Sequence, residues 1–232
     1  MYASVYVSII IFVGVVCGDR EKRLVLHSSD DIYNEIQGLK HEINTLKDRG
    51  SIYTRWGRKS CGTSDTETVY SGYAAGQPYN ITAGPASFLC LPEHPTWAKY
   101  NDGIQDLGAR VAGTEYEIYH ANLFNPFPQP MQDLDAPCAV CRSPRTTSLM
   151  IPGRTDCYSG WTLEYTGYLM SGHKGHIAAT DYACVDVNPE AVFHGEADKN
   201  GKLLYFVEIT CGSLPCEEYP NGRELACAVC SK

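Results

Sequence analysis

Between Ser28 and Gly50 the apolar side chains fall at Ile32, Ile36, Leu39, Ile43 and Leu46, at spacings of 4, 3, 4 and 3. This is the a/d rhythm of a coiled coil, with Ile36 and Ile43 at a and Ile32, Leu39 and Leu46 at d. Glu35 and Glu42 then occupy g, and Lys40 and Lys47 occupy e. Each Glu precedes its Lys by five residues, the g-to-e′ offset between parallel neighbours. Ser28 or Ser29 can cap the helix start, Asp30 and Asp31 suit the positive end of its dipole, and Gly50 and Ser51 stop it. The same stripe also fits an amphipathic helix laid on the domain that follows, because it spans under three heptads. Ile at a with Leu at d leans towards two strands. A helix this short is marginal alone, so the following domain would have to oligomerise as well.

From residue 52 onward the rhythm changes. Short runs rich in Tyr, Val, Ile and Thr are punctuated by Gly, Pro and Asn, and no sustained helical period appears. This predicts an all-β region. Leu203–Ile209 reads as a largely buried strand, and Asn200-Gly201 before it carries the signal of a tight hairpin.

The β region reads twice. Cys61, Cys90, Cys138 and Cys141 align with Cys157, Cys184, Cys227 and Cys230. The gaps agree, 29 against 27 residues and 48 against 43. "VYSGYAAG" around Tyr70 and Tyr73 matches "EYTGYLMSG" around Tyr165 and Tyr168, and each copy closes on CAVC. The expected architecture is therefore tandem duplicated, disulfide-rich β subdomains preceded by a short coiled-coil helix. The first copy covers residues 52–142 and the second 143–232, after a linker and helix over 19–51. Two similar subdomains packed about a pseudo-twofold axis are the simplest arrangement.

The N-terminus sets the compartment. Residues 5–16 form an uncharged apolar run, too short for a comfortable membrane span. Val16-Cys17-Gly18 fits a small-x-small cleavage site, so residues 1–18 read as a secretory signal peptide. Cys17 falls within it, which leaves ten of the 11 cysteines, an even number in an oxidising compartment. There, paired Cys-x-x-C motifs are more often halves of two different bridges than zinc or redox sites. Cys211 and Cys216 have no counterpart in the first copy and most simply close on each other. The remaining eight cysteines permit 105 pairings. A net charge of −8 with no basic stripe argues against nucleic acid and anionic membrane surfaces.

The span "CAVCRSPRTTSLMIPGRTDCYSGWTLEYTGYLMSG" resembles the junction between the two halves of the C-terminal non-collagenous domain of type IV collagen. The matching residues are Cys138, Cys141, Cys157, Ser159, Gly160, Trp161, Gly167 and Tyr168. "YTRWGR", "CYSGW", "NGKLLY" and "NGRELACAVC" resemble, more closely still, the C-terminal domain of spongin-type short-chain collagens. The resemblance implies nested bridges, Cys61–Cys141, Cys90–Cys138, Cys157–Cys230 and Cys184–Cys227, with Cys211–Cys216 as a small loop. It also implies a trimerising domain. No Gly-X-Y run precedes it, so this chain forms no collagen triple helix. The predicted coiled coil stands where the collagen stalk would be.

Catalytic chemistry is thin. No nucleophile elbow, zinc-protease motif or phosphate-cradling loop occurs. His173 and His176 could form a metal pair joined by Asp181, but a Gly-flanked loop holds no fixed geometry, and solvent-facing histidines are the simpler reading. Asp198-Lys199-Asn200-Gly201 lacks the further carboxylates of a calcium loop. Trp56 and Trp161 suit packing beside disulfides. Asn80 heads an N-glycosylation sequon. No catalytic residue, cofactor or metal is expected. The expected function is that of a secreted, non-enzymatic extracellular-matrix protein whose partner is itself, with a trimer favoured over a dimer and other matrix proteins or glycans as further partners. The alternative is a secreted, multivalent, lectin-like recognition protein.

Overall fold

The computed structural model of the protein describes residues 28–47, 49–104, 107–118 and 125–232. The expected signal peptide, residues 1–18, lies outside the described residues. Among the described residues no helix is long and apolar enough to cross a membrane.

The helix α1 runs Ser29–Lys47. Its start is capped as the local residues dictate: the Asp31 amide donates to Ser28 Oγ at 3.2 Å, and Asp30 and Asp31 stand in the first turn. Ile32, Ile36, Leu39 and Ile43 are 43, 43, 50 and 49 % exposed. The Leu46 side chain lies outside the described residues. A Cβ built on Gly38 meets nothing within 4 Å. Gly38→Ala is therefore expected to stabilise α1 by about 1 kcal/mol with no steric cost. Helical ellipticity of a peptide covering residues 28–50 checks this.

The rest is a β unit with ten strands among the described residues. In chain order they are β1 Ser51–Trp56, β2 Glu67–Gly76, β3 Leu89–Pro92, β4 Ala112–Tyr116, β5 Pro137–Ser143, β6 Ser148–Pro152, β7 Thr162–Ser171, β8 Ala183–Asp186, β9 Lys202–Phe206 and β10 Ala226–Ser231. In the first half β5 lies antiparallel between β1 and β2, and β2 carries β3 and β4 beyond. In the second half β10 lies antiparallel between β6 and β7, and β7 carries β8 and β9. The registers run in step. Gly72 faces Cys138 on one side and Pro92 on the other; Gly167 faces Cys227 and Asp186. Each long strand has one register shift, past Val69 in β2 and past Glu164 in β7. The two glycines are required by close approach: a Cβ on Gly72 would stand 1.8 Å from the Leu91 carbonyl oxygen, and one on Gly167 1.8 Å from that of Val185.

The halves are joined by strand pairing. β1 runs parallel beside β8 at Trp56 and Val185, and β4 runs parallel to β9 from Thr114 opposite Lys202 to Tyr116 opposite Leu204. Through β9 the hydrogen-bonded path returns to β7. One apolar cluster gathers Tyr116, Phe127, Met131, Cys138, Met170, Val185 and Phe206; a second gathers Tyr53, Cys141, Tyr165, Leu169, Cys184, Cys227 and Val229. Both clusters draw on both halves, so the core is shared.

Three expectations change. A pseudo-twofold would make the contact between halves reciprocal, with β6 beside β3 as β1 lies beside β8. Instead β6 pairs only with β10 and β3 only with β2 among the described strands. The hairpin expected at Asn200-Gly201 is not formed, because β9 takes its partners from β4 and β7 rather than from the preceding segment. Asn200 still adopts the left-handed conformation of a turn residue, at φ 52°. The strand itself stops at Phe206, short of the predicted Ile209, although Ile209 is buried.

Candidate functional site

The two CAVC segments are the middles of their halves. On a strand, residues three apart point to opposite faces, so Cys138 and Cys141 of β5 cannot bridge each other, and neither can Cys227 and Cys230 of β10. Cys138 sits in the first core cluster and Cys141 in the second. The bridges are Cys61–Cys141, Cys90–Cys138, Cys157–Cys230, Cys184–Cys227 and Cys211–Cys216. These are the five pairs that the type IV collagen resemblance implies. Four of them tie a central strand to its flanks, so all four CAVC cysteines are bridged. The fifth closes an outer loop, its cysteines five residues apart. Cys138, Cys141, Cys227 and Cys230 are fully buried, whereas Cys216 is exposed. Exchange needs an approaching thiolate, so Cys211–Cys216 is expected to be reduced first under graded dithiothreitol, with little change in unfolding midpoint. Differential alkylation read by mass spectrometry checks the order.

Among the described residues a heavily bonded polar group is Glu164, at the register shift of β7. Its side chain has no exposed area. One oxygen accepts from Tyr53 Oη at 3.0 Å, Thr63 Oγ1 at 3.2 Å and Thr66 Oγ1 at 3.1 Å. The other accepts from Ser231 Oγ and forms an ion pair with Arg145 at 2.8 Å. Arg145 in turn reaches Asp65 at 2.7 Å. The carboxylate thus gathers the first half, the link between halves, β7 and the last strand. Burial alone would raise its pKa, but hydrogen bonds from Ser231, Arg145 and Tyr53 outweigh it and hold the group below the ordinary carboxylate range. A second tie between halves is the ion pair of Arg55 with Asp186, at 2.6 Å and nearly buried.

Lys202 is fully buried at the start of β9. Its Nζ donates to the Ala86 carbonyl at 3.2 Å and lies 4.4 Å from the centre of the Phe88 ring. Desolvation lowers its pKa, with Asp181 working against that.

The histidines, read as solvent-facing, come together: His173 is exposed, whereas His176 is half-buried. The His173 and His176 rings are 5.2 Å apart and pack on Tyr205. Gly175 N donates to His173 Nδ1 at 3.0 Å, and His176 Nδ1 is buried without a hydrogen-bond partner among the described residues. Asp181, which could have joined them, accepts from the Tyr182 amide and shares no cluster of possible metal ligands with them among the described residues. Burial, then the neighbouring His173, lowers the His176 pKa. Tyr205 is pushed up to about 12 by burial and by Glu117.

Asp198 does gain further carboxylates, from β4 and the residues just after it. Oxygens of Glu115, Glu117 and Asp198 lie within 4.8 Å of one another. Glu115 is already satisfied, since it accepts from the Lys199 and Asn200 amides at 3.1 and 3.0 Å. Burial raises the pKa of both Glu115 and Glu117. Trp56 packs against Phe88 at 5.9 Å at the edge of the first cluster, and Trp161 is half-buried. Asn80 is exposed beside a turn closed by Ile81 N on the Pro78 carbonyl.

No known protein-family model matches this chain.

Proposed function

We propose that this chain is a secreted, non-enzymatic structural unit of the extracellular matrix that assembles into parallel oligomers, three chains being favoured over two. The observation that carries this reading is the stripe on α1. Four large apolar side chains stand 43–50 % exposed at heptad spacing on a 19-residue helix. A helix of that length gains most of its stability from packing, and copies of itself fit the stripe best, with Glu35 and Glu42 reaching Lys40 and Lys47 of the neighbour. Secretion rests on the leader-like residues 1–18 and on the five disulfides. Asn80, exposed, is the proposed glycan acceptor.

The β unit supplies the second contact. We read residues 52–142 and 143–232 as tandem copies of one subdomain, on the matched registers and matched glycines. In that reading β3 is the counterpart of β8, and β6 of β1. All four residues of β8 are buried with β1 beside it, whereas Leu89 and Leu91 of β3 are 49 and 37 % exposed. The outer edge of β6 takes no strand partner among the described residues either. Setting β6 of one copy against β3 of the next repeats between chains the contact that the chain makes within itself. Two different surfaces meeting in this way build a closed ring when the rotation per copy allows it. The likeness to spongin-type and type IV collagen domains supports a ring of three.

Light scattering on the secreted chain and on its Ile36→Asp/Ile43→Asp variant tests the reading. The expected result is an oligomer whose mass falls, or becomes concentration-dependent, in the variant. Equal oligomer mass in the two proteins would remove α1 from the mechanism.

A further inference from the structure

A cavity of about 580 Å³ opens where the residues after β1 meet those after β8, and nothing described above uses it. Its wall carries Arg58, Lys59, Gln129, Asn188 and Glu190, with Pro128 and Pro189 as stiff apolar edges. The backbone around it is pinned. Glu190 N donates to the Gly57 carbonyl at 2.7 Å, Tyr116 Oη to the Glu190 carbonyl at 3.0 Å, and Lys59 N to Glu190 Oε2 at 2.9 Å. The guanidinium of Arg58 is oriented by the Asn188 carbonyl at 2.9 Å and by Glu190 at a longer 3.4 Å. Its Nε is buried, with no hydrogen-bond partner among the described residues. Lys59 makes no ion pair among the described residues. Two cations against one carboxylate leave this wall net positive, on a chain whose formal charge is −8.

We propose that this cavity binds the acidic unit of a saccharide, a sugar ring bearing a carboxylate or sulfate. The anionic group goes to Arg58 and Lys59, where a planar guanidinium beside an ammonium suits an oxyanion. The hydroxyls go to Gln129, the Asn188 side chain and Glu190, which between them donate and accept. The volume is well beyond what a bare anion fills and lies in the range of small-ligand sites. The polar lining favours a hydroxyl-rich ligand over an apolar one. The inference does not rest on the assembly reading, because every residue of the wall belongs to one chain.

Isothermal titration of the full secreted protein with a heparin-derived disaccharide tests it, with a neutral disaccharide and inorganic sulfate as separate arms. The expected result is saturable binding of the acidic disaccharide. The neutral sugar and inorganic sulfate should each bind about tenfold more weakly or less. Arg58→Met and Lys59→Ala should each weaken binding by about tenfold. Gln129→Ala, on the exposed rim, should weaken it several-fold with the fold untouched. No saturable heat with the acidic disaccharide, or wild-type affinity in both Lys59→Ala and Gln129→Ala, would overturn the site. Equal binding of the neutral sugar or of inorganic sulfate would overturn the ligand class. Sedimentation of the same samples reads the oligomer separately, so failure here leaves the assembly reading standing.

Discussion

Glu164→Ala is expected to destabilise the protein by about 3–5 kcal/mol, the usual cost of breaking a buried ion pair from one side. Removing the carboxylate leaves Arg145 with the half-exposed Asp65 as its remaining ion-pair partner and the Ser231 hydroxyl beside it, and takes an acceptor from Tyr53 Oη, Thr63, Thr66 and Ser231 around a void. Glu164→Gln keeps the shape and some acceptors, so about 1–3 kcal/mol is expected there. Urea unfolding of the two variants against wild type gives both numbers. A loss under about 1 kcal/mol for Glu164→Ala, the net worth of one ordinary hydrogen bond, would mean that the hub does not hold the halves together. The hub also sets an acid limit. The Glu164 pKa is lower folded than unfolded. Its contribution is therefore present above the ordinary glutamate pKa and lost as pH falls through the folded value. His176 adds to the loss from higher pH. Its folded pKa is depressed, so the unfolded chain takes up its proton first as pH drops below the ordinary histidine range. Midpoints measured from about pH 7 to about pH 3 should fall in two stages, with the His176→Phe variant losing the upper one.

Gly167→Ala is expected to prevent normal folding, and Gly72→Ala to be the milder of the pair. A methyl group on either glycine would stand the same 1.8 Å from a carbonyl oxygen, so the backbone of the neighbouring strand must move in both cases. The difference lies in what that neighbour can do. Val185 on β8 is fully buried, and β1 lies on its far side. Leu91 on β3 is partly exposed, with no strand beyond among the described residues. A strand held on both sides cannot yield, whereas an edge strand can. Overpacking of a held core costs about 1–3 kcal/mol and sometimes more, and the upper end applies at Gly167. Secretion yield and thermal midpoint of the two alanine variants decide it. Equal damage would show that β3 is as tightly held as β8 in the folded protein, as it would be if a neighbouring copy covered it.

What could be read from the residues alone was local or repeated. The α1 stripe was legible because heptad spacing needs only a short window. The strands at CAVC were legible because the same cysteines and tyrosines occur twice. Glu164 was not. Its partners Tyr53, Thr63 and Thr66 lie 98–111 residues away, and the corresponding register shift in the first half carries Val69, so repetition offered no hint. Lys202 was hidden for a related reason, since a buried lysine sits beside a hydrophobic run that reads as an ordinary strand. The carboxylates near Asp198 come from β4 and the residue after it, about eighty positions earlier, through a parallel pairing that no local signal announces. The pseudo-twofold failed for a topological reason. Two equal subdomains can meet through equal or unequal surfaces, and similarity between them does not choose. The unequal choice leaves the β3 and β6 edges without strand partners among the described residues.

Those open edges and the exposed stripe make oligomerisation the claim on which the proposed function depends. Sedimentation equilibrium of the disulfide-intact protein across a hundredfold range of concentration tests it most directly. The account predicts a mass that is a whole multiple of the chain, with three copies favoured. It also predicts a smaller or more readily dissociating species once residues 19–50 are removed. A single-chain mass at every concentration, with and without that segment, would contradict it.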